Sequence, residues 1–344
     1  MSQLRPRGDR VRQPTTTVEL FFDLVYVFAV TQLSHVILDD PTVGGVARAA
    51  FLLAIVWWAW ISTTWMANWF DPHAPAVRAV LTGVMLASLL MAAALPGAFA
   101  GDATLFAGCY VALQVGRNAA AAGLLRRGPP LRDVFERLVV WSVVSGALWL
   151  AGAVVDADQR LALWAPALAL DLGAPAAGYW LPGRGRATTD DYDIEGEHFG
   201  ERCQGFVIIA LGESIVVTGA SAAIAGLTAT VVLSLVAALL ESAALWWLYV
   251  GATGERCRPA LPARADPGRL ARDAYTYLHV PIVAGIIAVA VGDDLLIGDP
   301  GRALSGIGPA MVFGGPALYL AGVALFRARL AGLRLVQHHQ GATP

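Results

Sequence analysis

The stretch Glu19-Leu-Phe-Phe-Asp23-Leu-Val-Tyr-Val-Phe-Ala-Val-Thr-Gln32-Leu-Ser34-His35 decides how the chain is read. It is apolar enough to cross a bilayer as a helix, yet two carboxylates stand in its first turns. A second stretch of the same kind follows much later: Gly205-Phe-Val-Ile-Ile-Ala-Leu-Gly-Glu213-Ser-Ile-Val-Val-Thr218-Gly-Ala. Ionisable groups inside apolar helices are expensive unless they are paired or face water, so they mark places where the interior has a polar purpose.

The rest of the composition agrees with a membrane setting. Of 344 residues, 57% are hydrophobic and 15% charged; soluble domains carry about 25% charged residues. Mean hydropathy is +0.59. A long chain this apolar cannot cover its surface with polar groups, so the bilayer is its expected solvent. Net charge is −2, which gives no electrostatic footprint for nucleic acid. All 24 basic residues are arginine. Three cysteines, Cys109, Cys203 and Cys257, form neither a metal-binding spacing nor a disulfide framework. No zinc-protease, phosphate-loop or nucleophile-elbow motif is present, and no cofactor is expected. The arginine-rich start superficially resembles a signal peptide. The apolar run behind it is too long, is interrupted by acids and lacks a small-residue cleavage site.

Ten windows have the roughly 20 mainly apolar residues a span requires. They cover 19–38, 46–66, 76–95, 103–125, 134–154, 160–181, 199–220, 228–250, 274–292 and 306–326. Pro and Gly mark most of the breaks. The arginines test the alternation independently. With the N-terminus inside, 20 of the 24 fall in cytoplasmic segments, three fall outside (Arg48, Arg160, Arg302), and Arg117 lies within a span. That asymmetry follows the positive-inside rule. The expected fold class is therefore all-α: a polytopic integral membrane helical bundle of about ten transmembrane helices with both termini cytoplasmic. Its parts are a cytoplasmic N-terminal arm (1–18), a transmembrane domain (19–326) and a cytoplasmic tail (327–344).

The rise of about 1.5 Å per residue sorts the intramembrane charges by depth. A cytoplasm-side cluster is expected from Glu19 and Asp23, one turn apart on the first span, with His198, Glu201 and Arg202 at the start of the seventh and Arg272, Asp273 and His279 at the start of the ninth. Carboxylates facing arginines make a self-consistent set. A deeper layer contains Arg117, Asp171, Glu213 and Glu241, with Glu213 among Gly205, Gly212 and Gly219, which would permit close helix approach. For both layers the alternatives are salt bridges that fix packing or a functional site. Asp293 and Asp294 are read as part of an outside loop. Trp57, Trp58, Trp60 and Trp65 read as an aromatic belt or core packing, and Asp190-Asp191-Tyr-Asp193 as a solvated acidic loop.

The two opening stretches, extended to His198-Phe-Gly-Glu201-Arg202 on the second, together with Arg272-Asp273-Ala-Tyr275-Thr-Tyr-Leu-His279-Val-Pro281, resemble the signatures of the bacterial low temperature requirement protein A family. The resemblance covers nearly the whole chain in the right order. It implies a multi-span membrane protein in a family named for a growth phenotype in the cold, and it carries no biochemical activity with it. The leading expectation is a transporter, or a proton- or ion-linked protein, of the bacterial inner membrane, with membrane lipids and a small molecule or ion as partners. One alternative is a membrane enzyme that protonates a lipid or isoprenoid through a carboxylic acid. Another is a non-catalytic factor for growth in the cold.

Overall fold

A computed structural model of the chain describes residues 3–6, 14–125, 130–187, 194–253, 271–298 and 303–340. The run Asp190-Asp191-Tyr-Asp193 lies outside the described residues. The others form ten α-helices: α1 (Thr17–Asp39), α2 (Val43–Trp69), α3 (Pro75–Ala93), α4 (Ala103–Leu124), α5 (Pro130–Val154), α6 (Ala157–Gly173), α7 (Gly196–Ala225), α8 (Ala229–Thr253), α9 (His279–Gly298) and α10 (Gly308–Gln340). A π-helical turn, Ala271–Tyr277, leads into α9. Extended pairing among the described residues is confined to two isolated bridges, Leu4 with Phe70 and Leu181 with Gly185.

Apolar runs form helices here because a bilayer offers no hydrogen-bond partner and only an intrasegment ladder satisfies the backbone. Among the described residues, eight helices are long and apolar enough to cross a membrane; α4 and α6 are the other two. Helix α4 carries Gln114, Arg117 and Asn118 on its buried side. Helix α6 has 17 residues, or about 26 Å, against a hydrocarbon core of about 30 Å. The sequence window 160–181 overshoots α6. Pro175 has no amide with which to continue the ladder, and Gly178 and Tyr179 then take left-handed backbone at φ 61° and 46°. At the other end of the chain, α9 runs past the window ending at 292 and takes in Asp293 and Asp294. Leu295, Leu296 and Ile297 continue its apolar surface, so the two acids belong to the helix and not to a loop.

The chain forms two compact units. The first comprises Met1–Gln32 and Ala54–His198, the second Leu33–Leu53 and Phe199–Pro344. In the first, α3, α4, α5 and α6 pack on one another in sequence order. Trp149, Trp164, Phe106 and Tyr110 fill the space between them. The segment after α6 is braced by Arg137 of α5, whose guanidinium donates to the carbonyls of Tyr179, Arg184 and Gly185. Arg184 in turn pairs with Asp133 and Glu136, and these hydrogen bonds raise its pKa above the ordinary guanidinium value.

In the second unit the tightest packing is α9 against α10. A Cβ on Gly285 would meet the Tyr319 amide nitrogen at 2.6 Å, and one on Gly315 would meet that of Val289 at 2.8 Å. Gly292 and Gly322 lie comparably close to the facing helix. Small residues permit this approach, and dispersion between backbones then holds the pair where lipid offers no hydrophobic drive. The glycines around Glu213 do not serve this purpose. A Cβ at Gly205, Gly212 or Gly219 would meet nothing within 4 Å. Spacing alone could not distinguish an open glycine face from a packed one.

Candidate functional site

The first unit holds a buried polar array. It begins at Thr16, the N-cap of α1. Glu19 accepts the Thr16 amide and hydroxyl on Oε2, each at 2.9 Å, and its own amide faces the Thr16 hydroxyl at 3.4 Å. This is a capping box, and it fixes the rotamer that sends Oε1 inward. There Oε1 accepts Arg5 Nη2 at 2.8 Å and His198 Nε2 at 2.8 Å. Glu19 is 1% exposed and His198 fully buried.

The histidine tautomer follows from its neighbours. Asn68 Oδ1 accepts the Glu195 amide, so its Nδ2 is the donor to the Glu195 carbonyl and to His198 Nδ1. Nδ1 therefore accepts, and Nε2 carries the proton that points at Glu19. Arg5 also donates through Nε to the carbonyls of Ala67 and Phe70. These lie at the C-terminal end of α2, where carbonyls lack helical partners and the helix dipole favours a cation. Residues 3–5 are held there by backbone bonds, Arg5 N to Trp69 O and Asp71 N to Gln3 O, each at 2.9 Å.

Asp23, one turn further along α1, accepts Trp60 Nε1 at 2.7 Å. Tyr26 follows, bonded to Ser88 at 2.8 Å and within electrostatic reach of both Asp23 and Arg117. Arg117 is 3% exposed, and its partners are all neutral: Thr63 at 3.1 Å, Gln114 at 2.5 Å and Asn118 at 3.3 Å. The Gln114 amide passes the connection to the Tyr110 hydroxyl at 3.1 Å, which donates to Asp171 Oδ2 at 2.8 Å. Trp149 Nε1 donates to the same oxygen at 3.0 Å. Asn118 extends the array sideways to Ser142 at 2.9 Å.

Asp23 and Arg117, expected in separate layers, bond Trp60 and Thr63, three residues apart on α2. Arg117 and Asp171 are connected through Gln114 and Tyr110. Arg5, Asn68, Gln114 and Tyr110 were missed from sequence. Thr16-x-x-Glu19 carried a local capping signal, whereas nothing local distinguished Arg5 from the other N-terminal arginines. Of the expected α2 tryptophans, Trp57, Trp58 and Trp60 are buried and belong to the core, while Trp65 is half-buried.

The remaining expected residues lie in the second unit. Arg202 is buried on α7, while Glu201 and Glu213 are half-buried. Asp273, in the π-helical turn, pairs with Arg272 at 3.1 Å and Arg329 at 2.5 Å. His279 is enclosed: its ring stacks on Tyr275 at 5.5 Å and meets Phe326 edge-on at 4.9 Å. Nδ1 lies 3.2 Å from the Ala274 carbonyl, an obligate acceptor, and Nε2 lies 2.9 Å from the Tyr249 hydroxyl. Nδ1 therefore carries a proton toward the carbonyl, and Nε2 shares a hydrogen bond with the Tyr249 hydroxyl. Glu241, on α8, is half-buried. The eight residues of the expected cytoplasm-side cluster therefore divide between units: Glu19, Asp23 and His198 in the first, and Glu201, Arg202, Arg272, Asp273 and His279 in the second. The second unit also contains an open cavity of about 220 Å³ lined by apolar side chains such as Leu33, Val46, Leu53, Ile287 and Leu318. Among the described residues no three His, Cys, Asp or Glu side chains are grouped to hold a metal ion.

Apolar helices long enough to span a bilayer, with charged and amide side chains bonded to one another in their interior, define a multi-pass helical membrane protein. The chain belongs to the bacterial low temperature requirement A protein family, whose model matches residues 14–343. It is 38% identical over 283 residues to an uncharacterised protein of Rhizobium meliloti (strain 1021), an alignment covering 82% of this chain and 69% of that one. No solved structure matches.

Proposed function

We propose that this protein is a transporter of the bacterial inner membrane that moves a small molecule or ion in a proton- or ion-linked cycle, with about ten spans and both termini cytoplasmic. The observation that carries this reading is Arg117. A structural arginine at membrane depth would be expected opposite a carboxylate, because an unneutralised charge in hydrocarbon costs several kcal/mol. Arg117 is buried among Thr63, Gln114 and Asn118 instead, and it reaches Asp171 through two neutral side chains. A cation held open in this way suits transient neutralisation by a moving anion, or by a carboxylate whose proton comes and goes.

The cavity of the second unit gives the enzyme alternative no support. Protonation of a double bond needs a carboxyl inside the pocket, and the cavity lining has none. The deciding experiment reconstitutes the full chain in proteoliposomes on a solid-supported membrane and applies organic acids, amino acids, sugars and inorganic cations at several pH values. A pH-dependent charge displacement for at least one class, lost in Arg117→Gln with the protein still monodisperse, is expected. Silence across the whole panel would overturn the reading.

A further inference from the structure

We infer that Glu241 of α8 and Asp293 of α9 form a proton-exchange site in the second unit, separate from the array around Arg117; the inference deepens the proton-linked reading by naming the carboxyls that carry the proton. The position comes from packing. Ala222, Val231, Ala238 and Ile297 form one buried cluster with Leu235. Asp293 is one turn before Ile297 on α9, and Glu241 is three residues beyond Ala238 on α8, so both carboxyls continue faces that meet in that cluster.

The second observation is the state of Asp293 itself. The residue is 7% exposed, and its Oδ2 is buried with no hydrogen-bond partner among the described residues. Glu241 lies within electrostatic reach of it. The other polar groups nearby do not supply what is missing. Ser221 of α7 hydrogen-bonds Asp294, the adjacent acid. Helix α10, packed against Gly292, brings Met311 and Val312, and residues 308–318 of that helix include no titratable side chain.

No arginine occurs on α8, on α9 or at residues 308–318 of α10, so two carboxyls on these meeting faces repel as anions and are expected to titrate as a pair sharing one proton. The partnerless Asp293 Oδ2 is the atom at which that proton would be held. A divalent ion fits poorly, because these acids do not form a three-liganded group.

Reaction with dicyclohexylcarbodiimide tests this directly. The reagent enters membranes and captures carboxyls in their protonated form: the acid proton moves to a carbodiimide nitrogen and the carboxyl oxygen bonds to the central carbon. The full chain in lipid nanodiscs is labelled across a pH series, and adducts are located by mass spectrometry. Label is expected on Glu241 or Asp293, decreasing as pH rises. Asp293→Asn should move the Glu241 labelling midpoint to lower pH by about one unit or more, a tenfold loss of proton affinity. Asp293→Glu and Glu241→Gln serve if the asparagine variant fails to fold.

Absence of label at every pH, labelling indifferent to pH, or an unmoved Glu241 midpoint would each overturn the assignment. Protection by sodium chloride but not choline chloride would also overturn it, making the pair a sodium site. None of these readings requires flux, so failure here is distinguishable from failure of the transport proposal.

Discussion

Tyr110→Phe removes one oxygen from the centre of the buried array and leaves the ring, so its effect can be worked out bond by bond. The hydroxyl accepts Gln114 Nε2 at 3.1 Å and donates to Asp171 Oδ2 at 2.8 Å. Asp171 retains Trp149 Nε1 at 3.0 Å on that oxygen, so it is not stripped of donors. Hydrogen bonds between membrane helices average about 0.6 kcal/mol and reach about 1.7. The bond to the carboxyl belongs at the upper end of that range. The Gln114 N–H left facing a phenyl ring adds a desolvation penalty of about 1 kcal/mol. The total is about 2 to 3 kcal/mol, or on the order of 30- to 150-fold in the unfolding equilibrium, since 1.4 kcal/mol is tenfold. Reversible unfolding of the purified protein in mixed micelles with increasing SDS measures it. A cycle of Tyr110→Phe, Gln114→Leu and the double variant should give a coupling of at least about 0.5 kcal/mol, as expected for bonded neighbours. If Tyr110→Phe stays within about 0.3 kcal/mol of the parent and the cycle shows no coupling, the hydroxyl does not connect Gln114 to Asp171 and the array is not continuous.

Gly285→Ala should destabilise by about 1 to 3 kcal/mol, because the new methyl group meets the Tyr319 backbone at 2.6 Å; the same substitution at Gly205, where 4 Å of space is open, is the control, and equal SDS-unfolding midpoints for the two would contradict the packing argument. Arg137→Ala removes the donor to three carbonyls and should cost about 2 kcal/mol or more, whereas Arg184→Ala breaks exposed ion pairs and should cost under about 1 kcal/mol; thermal unfolding that ranks them the other way would refute the brace. Arg5→Gln should loosen the strap at the end of α2, and hydrogen exchange should then quicken at the amides of Arg5 and Asp71, which bond Trp69 O and Gln3 O, with no change at α9.

The polar array shows how far the sequence could be followed. Glu19, Asp23, Arg117 and Asp171 were legible because an ionisable residue in an apolar run is conspicuous whatever it touches. Gln114, Tyr110 and Asn68 were not. Amides and phenols are common near membrane interfaces, and only the approach of α6 to α4, or of residue 195 to the end of α2, shows what they bond. The Thr16–Glu19 box was local and readable; the Arg5 partner of the same carboxylate was not, because it depends on the pairing of residues 3–5 with the end of α2. Asp293 was assigned to a loop because hydropathy declines where two adjacent acids occur, although the helix continues on the apolar residues beyond them.

By itself, the sequence determined the solvent, the helical class and the conspicuous charges. Those follow from composition and from the backbone's need to satisfy its own hydrogen bonds in a bilayer, which holds for each span separately. Tertiary structure decided which of those charges find charged partners, which are held by neutral amides and hydroxyls, and which glycines touch another helix. Each of these depends on the rotation of one helix about its axis relative to its neighbour. A change of one residue in register turns the contact face by about 100°, and nothing in hydropathy fixes that angle for Arg117, Gly285 or Asp293.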